Sequence, residues 1–250
     1  MDHRIIGTTM PVLEIQLQPG ESVIAESGEL SWMSAAVQLT TSTSAGAKHG
    51  IMGKLKRVVG GGGLFMTEYT SPAGSGMVAF ATKMPGQIFP IEVSPGRGYM
   101  SHRHGFLCGT QGIEVSMGFQ QSLGAGVFGG EGFVLQRIEG QAQAWIELDG
   151  EVVAYELGPS DTLRVHPGHV GLFEESVNFS ITTVPGIKNK LFGGDGLFLA
   201  ALTGPGKVWL QSMPLSNLAH ALTPYLPQQE AQRQSGGGIA GGLIGGLLNQ

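Results

Sequence analysis

The sequence is poor in cysteine and in charge, and it has no basic character. Cys108 is the only cysteine among 250 residues, so no disulfide can form within one chain. Charged residues make up 13% and the formal net charge is −5, which argues against a surface that tracks a phosphate backbone. The first residues, Met1-Asp2-His3-Arg4, lack the apolar core of a signal peptide. These absences predict a cytoplasmic protein that binds no nucleic acid.

Glycine and proline, by contrast, are abundant. The chain has 42 glycines and 13 prolines distributed among apolar runs, and residues 1–200 contain no long stretch of helical periodicity. Such a composition is typical of many short strands that are joined by tight turns. The sequence therefore predicts an all-β protein.

A threefold repeat runs along the chain. The copies open with Pro19-Gly20, Pro95-Gly96 and Pro159-Ser160. In each copy a short alternating stretch begins 18 residues after the proline, at Val37, Ile113 and Val177. A glycine cluster then precedes bulky apolar residues, at residues 60–63, 129–132 and 193–196. A spacing that is kept in every copy predicts three related structural units in which Val37, Ile113 and Val177 face inward.

Patterns of strand, turn and strand recur in the three copies. Asp149-Gly150 separates two β-prone runs, the first of which holds Trp145, and this pattern predicts a hairpin. Similar runs flank residues 71–76 and residues 204–206, and the run after residue 206 holds Trp209. We therefore expect three equivalent small sheets that pack into one shared core, with Trp145 and Trp209 buried in equivalent strands.

The end of the chain differs from the body. Residues 214–222 predict one short helix with Ser216 as its N-cap. Residues 227–250 form a polar linker followed by a glycine-rich apolar tail, in which glycines recur every four residues. That spacing lets apolar helices approach closely in lipid, although the tail is shorter than the 20 or so residues that span a bilayer. The predicted interaction residues of the tail are Gly237, Gly241, Leu243, Gly245 and Leu247.

Two readings of this tail remain open. It can associate with copies of itself or with a membrane surface, because an exposed apolar segment favours such contacts. The alternative is a disordered extension, because glycine opposes helix formation in water.

Two motifs in the third copy carry a family resemblance. They are Gly193-Gly194-Asp195-Gly196-Leu197-Phe198-Leu199 and Thr203-Gly204-Pro205-Gly206-Lys207-Val208-Trp209-Leu210-Gln211-Ser212. With them, about residues 4–222 resemble the altered-inheritance-of-mitochondria family. The resemblance implies a β-sandwich unit like that of the tryptophan RNA-binding attenuation protein, used three times in one chain. It implies no catalytic residue, since none is established for the family.

The repeat and the resemblance together predict the domain organisation. We expect one compact body, residues 1–226, made of three pseudo-threefold β-sandwich units with one short C-terminal helix. The units lie at about residues 4–80, 81–145 and 146–222, and residues 227–250 form the linker and tail.

Three residues hold the same place in the three copies and form the first candidate metal site. Glu26, His102 and His166 each stand seven residues after the proline that opens the copy. If this position faced a common axis, two imidazoles and one carboxylate would converge as a facial metal site. No pattern of further ligands or supporting groups accompanies them, so we predict that they share no metal.

A second candidate site partly resembles the metal site of cupins. His102 and His104 form an H-x-H pair that alternation places on one face of a strand, and His169 follows later in the chain. Cys108 stands in the region where a cupin has its glutamate, which counts against the match. The alternative is that these histidines hydrogen-bond loop backbone near turns.

Two functions from different classes are therefore predicted. The favoured one is a non-catalytic structural or interaction protein, without metal or cofactor, that self-associates and contacts a membrane surface or a protein partner through its tail. The other is a cupin-like metal enzyme or metal-binding protein that uses His102, His104 and His169.

Overall fold

The structure, a computed structural model, describes residues 1–42, 65–121, 132–183, 198–222 and 225. The chain divides into a body, Met1–Leu218, and a second unit, Ala219–Gln250. Most described residues lie in antiparallel strands and one short helix is present among them, so the all-β prediction is confirmed. The tail residues Gly237, Gly241, Leu243, Gly245 and Leu247 lie outside the described residues, as do the glycine clusters except Gly132.

The described residues of the first third of the chain form seven strands, two before and five after Pro19-Gly20. The elements are β1 (Asp2–Ile6), β2 (Val12–Leu17), β3 (Ser22–Glu26), β4 (Trp32–Met33), β5 (Gln38–Ser42), β6 (Met66–Thr70) and β7 (Gly76–Ala81). In β2, Leu13, Ile15 and Leu17 are buried, whereas the residues that alternate with them, Val12, Glu14 and Gln16, are partly exposed. This alternation is the pattern of a strand with one face in a core.

The remaining strands form two further groups. The middle third has β8 (Gly86–Val93), β9 (Tyr99–His102), β10 (Phe106–Thr110), β11 (Ile113–Gln121), β12 (Phe133–Gly140) and β13 (Ala142–Asp149). The last third has β14 (Val152–Leu157), β15 (Thr162–Val165), a 3-10 turn (Pro167–His169), β16 (Val170–Glu174), β17 (Asn178–Thr183), β18 (Phe198–Thr203), β19 (Gly206–Gln211) and the helix α1 (Leu215–Leu222).

Four antiparallel sheets are formed by the described strands. Sheet 1 has the order β1-β2-β7-β4, sheet 2 has β5-β6-β3-β10-β13-β8, sheet 3 has β11-β12-β9-β16-β19-β14, and sheet 4 has β15-β18-β17. The order of pairing is the same in three successive strand sets, which are β2–β7, β8–β13 and β14–β19. The predicted boundary between the second and third copies, at residues 145 and 146, therefore lies inside β13.

Each strand set has its own hydrophobic cluster, and each cluster joins two sheets. The first joins sheets 1 and 2 and includes Leu13 and Val23. The second joins sheets 2 and 3 and includes Ile146 and Tyr99. The third joins sheets 3 and 4, and it includes Val208 and Leu202. Superposition of the three sets as one pseudo-threefold sandwich unit stays a prediction.

The equivalent apolar positions behave as the repeat predicts. Val37, Ile113 and Val177 are all buried. Ile113 begins β11, and Val37 and Val177 stand one residue before β5 and β17, the corresponding strands of the other two sets. Trp145 and Trp209 occupy equivalent strands, β13 and β19, but only Trp145 is fully buried. Trp145 therefore meets the predicted burial in full, and Trp209, which keeps part of its surface exposed, meets it in part.

The predicted hairpins are wrong. The strands on either side of Asp149-Gly150 lie in different sheets, since β13 pairs with β8 and β10 whereas β14 pairs with β19. The strands that flank residues 71–76 and 204–206 are likewise unpaired with each other. These connections cross from one sheet to the facing sheet. Turn chemistry predicts that the chain reverses, but it does not specify whether the next strand joins the same sheet.

The helix α1 begins one residue earlier than Ser216, and the carbonyl of Pro214 accepts the first backbone hydrogen bonds, from Asn217 and Leu218. Ser216 therefore lies inside the helix and is not its N-cap. Among the described residues, no helix is long and apolar enough to cross a membrane.

Candidate functional site

Two contacts between successive strand sets bring polar side chains together. The first seam is the pairing of β3 with β10, and the second seam is the pairing of β9 with β16. Around the first seam, the ends of β3, β7 and β9 meet β13 and place five side chains near one another. These side chains, the first-seam cluster, are Glu26, Glu29, Lys83, His102 and Glu147.

Glu147 is the most unusual residue of this cluster. It lies two residues after the buried Trp145 on β13, so alternation directs both side chains to the same, inner face. Its side chain is only 6% exposed. Burial, reinforced by the negative charge of Glu29, raises the pKa of the Glu147 carboxyl to about 8. The carboxyl is therefore protonated at neutral pH, and it accepts a hydrogen bond from the backbone N–H of Lys83.

Glu29 is the charged partner within the cluster. One carboxylate oxygen of Glu29 forms an ion pair with the ammonium group of Lys83. The other oxygen, Oε2, is buried and has no hydrogen-bond partner among the described residues. A buried carboxylate with one unsatisfied oxygen is unfavourable, and its field disfavours a second charge on the neighbouring Glu147.

Glu26 completes the acidic side of the cluster. Its Oε1 accepts a hydrogen bond from Nε2 of Gln136, a buried residue of β12. Burial raises the pKa of the Glu26 carboxyl, whereas the hydrogen bond from Gln136 opposes that rise. The second strand set therefore supplies the group that holds this carboxylate in place.

The histidines of the first seam are neutral. The ring nitrogen Nε2 of His102 lies 3.4 Å from the backbone oxygen of Glu147. Burial lowers the pKa of His102 to about 4, and burial together with the charge of Arg103 lowers the pKa of His104. Cys108, which is nearby on β10, is buried with its thiol pKa raised well above the usual value, so it carries no thiolate at neutral pH.

The second seam has an amide where the first has an acid. Gln211 lies two residues after Trp209, as Glu147 lies two residues after Trp145, and it is also buried. Its Nε2 donates to the carbonyl of Gly168 at 3.0 Å, and its Oε1 accepts from the backbone N–H of Asp149 at 3.1 Å. Both ends of this neutral side chain are therefore satisfied without a charge.

The histidine of the second seam repeats the backbone contact of the first. Nδ1 of His169 lies 2.8 Å from the backbone oxygen of Gln211, and its Nε2 lies 3.4 Å from the side-chain nitrogen of Asn217. His166 lies beside it, with ring centroids 5.9 Å apart. Burial raises the pKa of Asp149, whose backbone joins this network, to about 6.

The structure divides both candidate metal sites between the seams. Glu26 and His102 belong to the first seam, whereas His166 lies with His169 in the second. The cupin-like set is divided in the same way, because His102 and His104 lie in the first seam and His169 in the second. Within the described ranges, no group of three or more His, Cys, Asp and Glu side chains is arranged to hold a metal.

Sequence reasoning missed Glu29, Lys83 and Glu147. Glu147 had a signal, because an acidic residue two positions from a buried tryptophan on a strand must share its face. Glu29 and Lys83 lie in connections that the strand pattern does not place.

Comparison with known proteins assigns the family. The family model for mitochondrial biogenesis AIM24 matches residues 3–213. The chain belongs to this family. The match covers nearly all of the body, including the strands of both seams, so the seams are features of an AIM24-family fold.

Relatives of this AIM24-family chain include streptococcal proteins. An uncharacterized protein of Streptococcus pyogenes serotype M6 is 27% identical over 223 residues, which cover 87% of each chain. The X-ray crystal structure of a Streptococcus pyogenes protein matches with a TM-score of 0.71 and 24% identity, and the match covers 90% of this chain and 99% of that one. This structural likeness shows the fold, and it assigns no activity.

Proposed function

We propose that this AIM24-family chain is a non-catalytic structural or interaction protein that associates with copies of itself. The polar groups of both seams support a structural role, because they connect strand sets to each other. His102 and His169 bond backbone oxygens, the Glu147 carboxyl accepts from backbone, and Gln211 is satisfied at both ends. Polar side chains whose hydrogen bonds are used within the body in this way hold the sheets together.

One observation carries the proposal of self-association. Trp32, on the edge strand β4, is 45% exposed. The residues in the same register of the other two strand sets, Cys108 and Leu172, are both fully buried, because each packs in a hydrophobic cluster that a neighbouring strand set helps to form. A large exposed aromatic side chain on an open sheet edge is typical of a surface that another strand covers.

The proposal also includes a location and a tail contact. We propose a cytoplasmic protein whose glycine-rich segment, with Gly237, Gly241, Leu243, Gly245 and Leu247, contacts a membrane surface or the same segment of another copy. The support is the four-residue glycine spacing with apolar residues between. A likeness of each strand set to the unit of the tryptophan RNA-binding attenuation protein belongs to the same proposal, and its support is the pairing order that recurs three times.

Light scattering and liposome binding test these points. We expect the full chain to show a mass above that of the 26.1 kDa monomer at micromolar concentration. A chain that ends at Pro227 should keep this mass if the body associates, and should lose liposome binding if the tail contacts the membrane. A full chain that stays monomeric at every concentration would overturn the proposed self-association.

A further inference from the structure

The chain forms the same kind of strand pairing between sets twice, and the two strands that would form a third such pairing are both left at sheet edges. In the first seam β3 pairs with β10, and in the second β9 pairs with β16. The two strands that hold the corresponding places, β15 and β4, end sheets 4 and 1. Among the described strands, β15 pairs only with β18, and β4 pairs only with β7.

The register of such a third seam follows from the two that exist. Cys108 faces Ala25 in the first seam, and Leu172 faces Ser101 in the second. On one side, Trp32 corresponds to Cys108 and Leu172, because they pair with the equivalent residues Ala79, Trp145 and Trp209 of the neighbouring strand. On the other side, Val165 corresponds to Ala25 and Ser101, since each stands six residues after its repeat-opening proline.

Exposure indicates that both ends of the body lack a neighbouring strand set, because the counterparts of the exposed Trp32 and Arg164 pack in clusters shared between two sets. Trp32 is exposed where its counterparts are buried, and the neighbouring Ser31 is exposed as well. On β15, Thr162 is exposed, whereas Ser22, its counterpart on β3, is buried. Arg164 is also exposed, whereas its counterpart Met100 is buried. The open edges of β15 and β4 therefore correspond to the two strands of one seam, and they can pair with each other.

We propose that β15 of one molecule pairs antiparallel with β4 of a second molecule, with Trp32 opposite Val165 and Met33 opposite Arg164. This pairing rests on the proposed self-association and specifies its contact. We choose a second copy as the partner because the chain itself twice pairs a strand in the place of β3 with a strand in the place of β4 of the next set. Each molecule has one unpaired edge of each kind, β15 and β4. The assembly closes as a dimer that makes the contact twice, or as a larger ring, or it grows as a chain.

Variants that each carry one cysteine in addition to the buried Cys108 test the contact directly. Trp32→Cys and Val165→Cys, mixed and mildly oxidised, should give a disulfide-linked dimer, because directly opposite Cβ atoms lie about 4.5–5.5 Å apart, close enough for a bridge after small shifts. Neither variant alone should give it, and the wild-type chain should not, since Cys108 is buried. As a matched control, Trp32→Cys is mixed with Val153→Cys, an exposed position on β14. We expect several-fold more dimer from the first mixture.

A second pair of cysteine variants controls for a folding defect caused by substitution of the buried Val165. Met33→Cys mixed with Arg164→Cys probes the adjacent position of the same register, and Arg164 is exposed. In addition, Trp32→Asp should lower the mass seen by light scattering, whereas Tyr155→Asp should not. Tyr155 is as exposed as Trp32, at 45%, but it lies on β14.

The outcomes separate this contact from self-association in general. If the full chain is oligomeric but neither cysteine pair exceeds its control, the β15–β4 contact is wrong and the proposed self-association stands. A monomeric chain overturns both. If the double variant Trp32→Cys/Val165→Cys forms only an internal bridge within a monomer, the third seam closes within one molecule and the intermolecular contact is wrong.

Discussion

The first and second seams have the same strand pairing and different chemistry. Both place a side chain two residues after a tryptophan against a histidine-bearing connection, and both histidines approach the backbone oxygen of that residue. In the first seam the side chain is the carboxyl of Glu147, with Glu29 and Lys83 nearby. In the second it is the amide of Gln211. The fold therefore tolerates a titratable group here but does not require one.

The two seams also differ in how their tryptophans pack, which is independent of the charge difference. Each seam has a tryptophan that packs beside it. Trp145 at the first seam is fully buried, whereas Trp209 at the second is partly exposed. The ring of His3 meets Trp145 edge to face at 5.1 Å, whereas Phe89 stacks on Trp209 at 6.3 Å. The first seam should therefore depend more on its tryptophan, and it should also respond more to pH.

The largest effect is expected from the tryptophans. Trp145→Ala should lower the free energy of unfolding by about 3–5 kcal/mol, because a fully buried aromatic side chain leaves a cavity. Trp209→Ala should cost about 1–2 kcal/mol, because part of this side chain already contacts water. Urea denaturation measures both. Equal losses in the two variants would contradict the difference in packing between the seams.

The next effect is the pH dependence that Glu147 causes. Its pKa rises from 4.5 in the unfolded chain to about 8 in the folded one, so the folded state keeps a proton that the unfolded state releases. The contribution to stability is fully present below pH 4.5 and is lost as pH rises through this window, by about 1.4 kcal/mol per pH unit. Glu147→Gln should remove this slope and stabilise the protein by about 3 kcal/mol at pH 7.

The matched variant is Gln211→Glu in the second seam. It replaces the amide that donates to Gly168 by a carboxyl that must be protonated to do so. The variant should acquire the slope that Glu147→Gln loses, as measured by denaturation between pH 5 and pH 8. If Glu147→Gln leaves the slope unchanged, the Glu147 carboxyl is not protonated in the folded protein.

The smallest effect is expected from the ion pair of the first seam. Lys83→Met removes the partner of Glu29, whose side chain is mostly buried, while the lysine itself is largely exposed. Because solvent screens such a pair, the loss should be about 1 kcal/mol. The charge of Lys83 also lowers the pKa of Glu147, so its removal should raise that pKa further and extend the pH dependence upward. An unchanged pH profile would show that Lys83 and Glu147 are not coupled.

Much of the fold could be predicted from spacing alone. The constant distance from the repeat-opening prolines predicted the buried Val37, Ile113 and Val177, because a fixed count of residues keeps the same face of a strand. Strand pairing could not be predicted in this way. The connection at Asp149-Gly150 has the chemistry of a hairpin turn, yet it joins two sheets, since the partner of each strand is set by contacts distant in sequence.

The candidate site was less predictable than the fold. Repeat position groups Glu26 and His102 with His166, whereas the structure places His166 in the other seam. Equivalent positions in a repeat lie in equivalent surroundings, and they meet only where those surroundings face a common axis. The first-seam cluster instead combines residues of different repeat positions, such as Lys83 and Glu147, which no periodicity relates.

The buried position of Cys108 gives the chain a built-in reporter. Its thiol lies on β10 between Ala25 of β3 and Trp145 of β13, at zero solvent exposure. The thiol belongs to the hydrophobic cluster that joins sheets 1 and 2, so a thiol reagent can reach it only when these sheets separate there or the whole body unfolds. Since Cys108 is the only cysteine, the rate at which the intact protein is labelled measures the opening of this one cluster. Labelling faster than global unfolding would identify the packing of sheet 1 on sheet 2 as a place where the body opens locally.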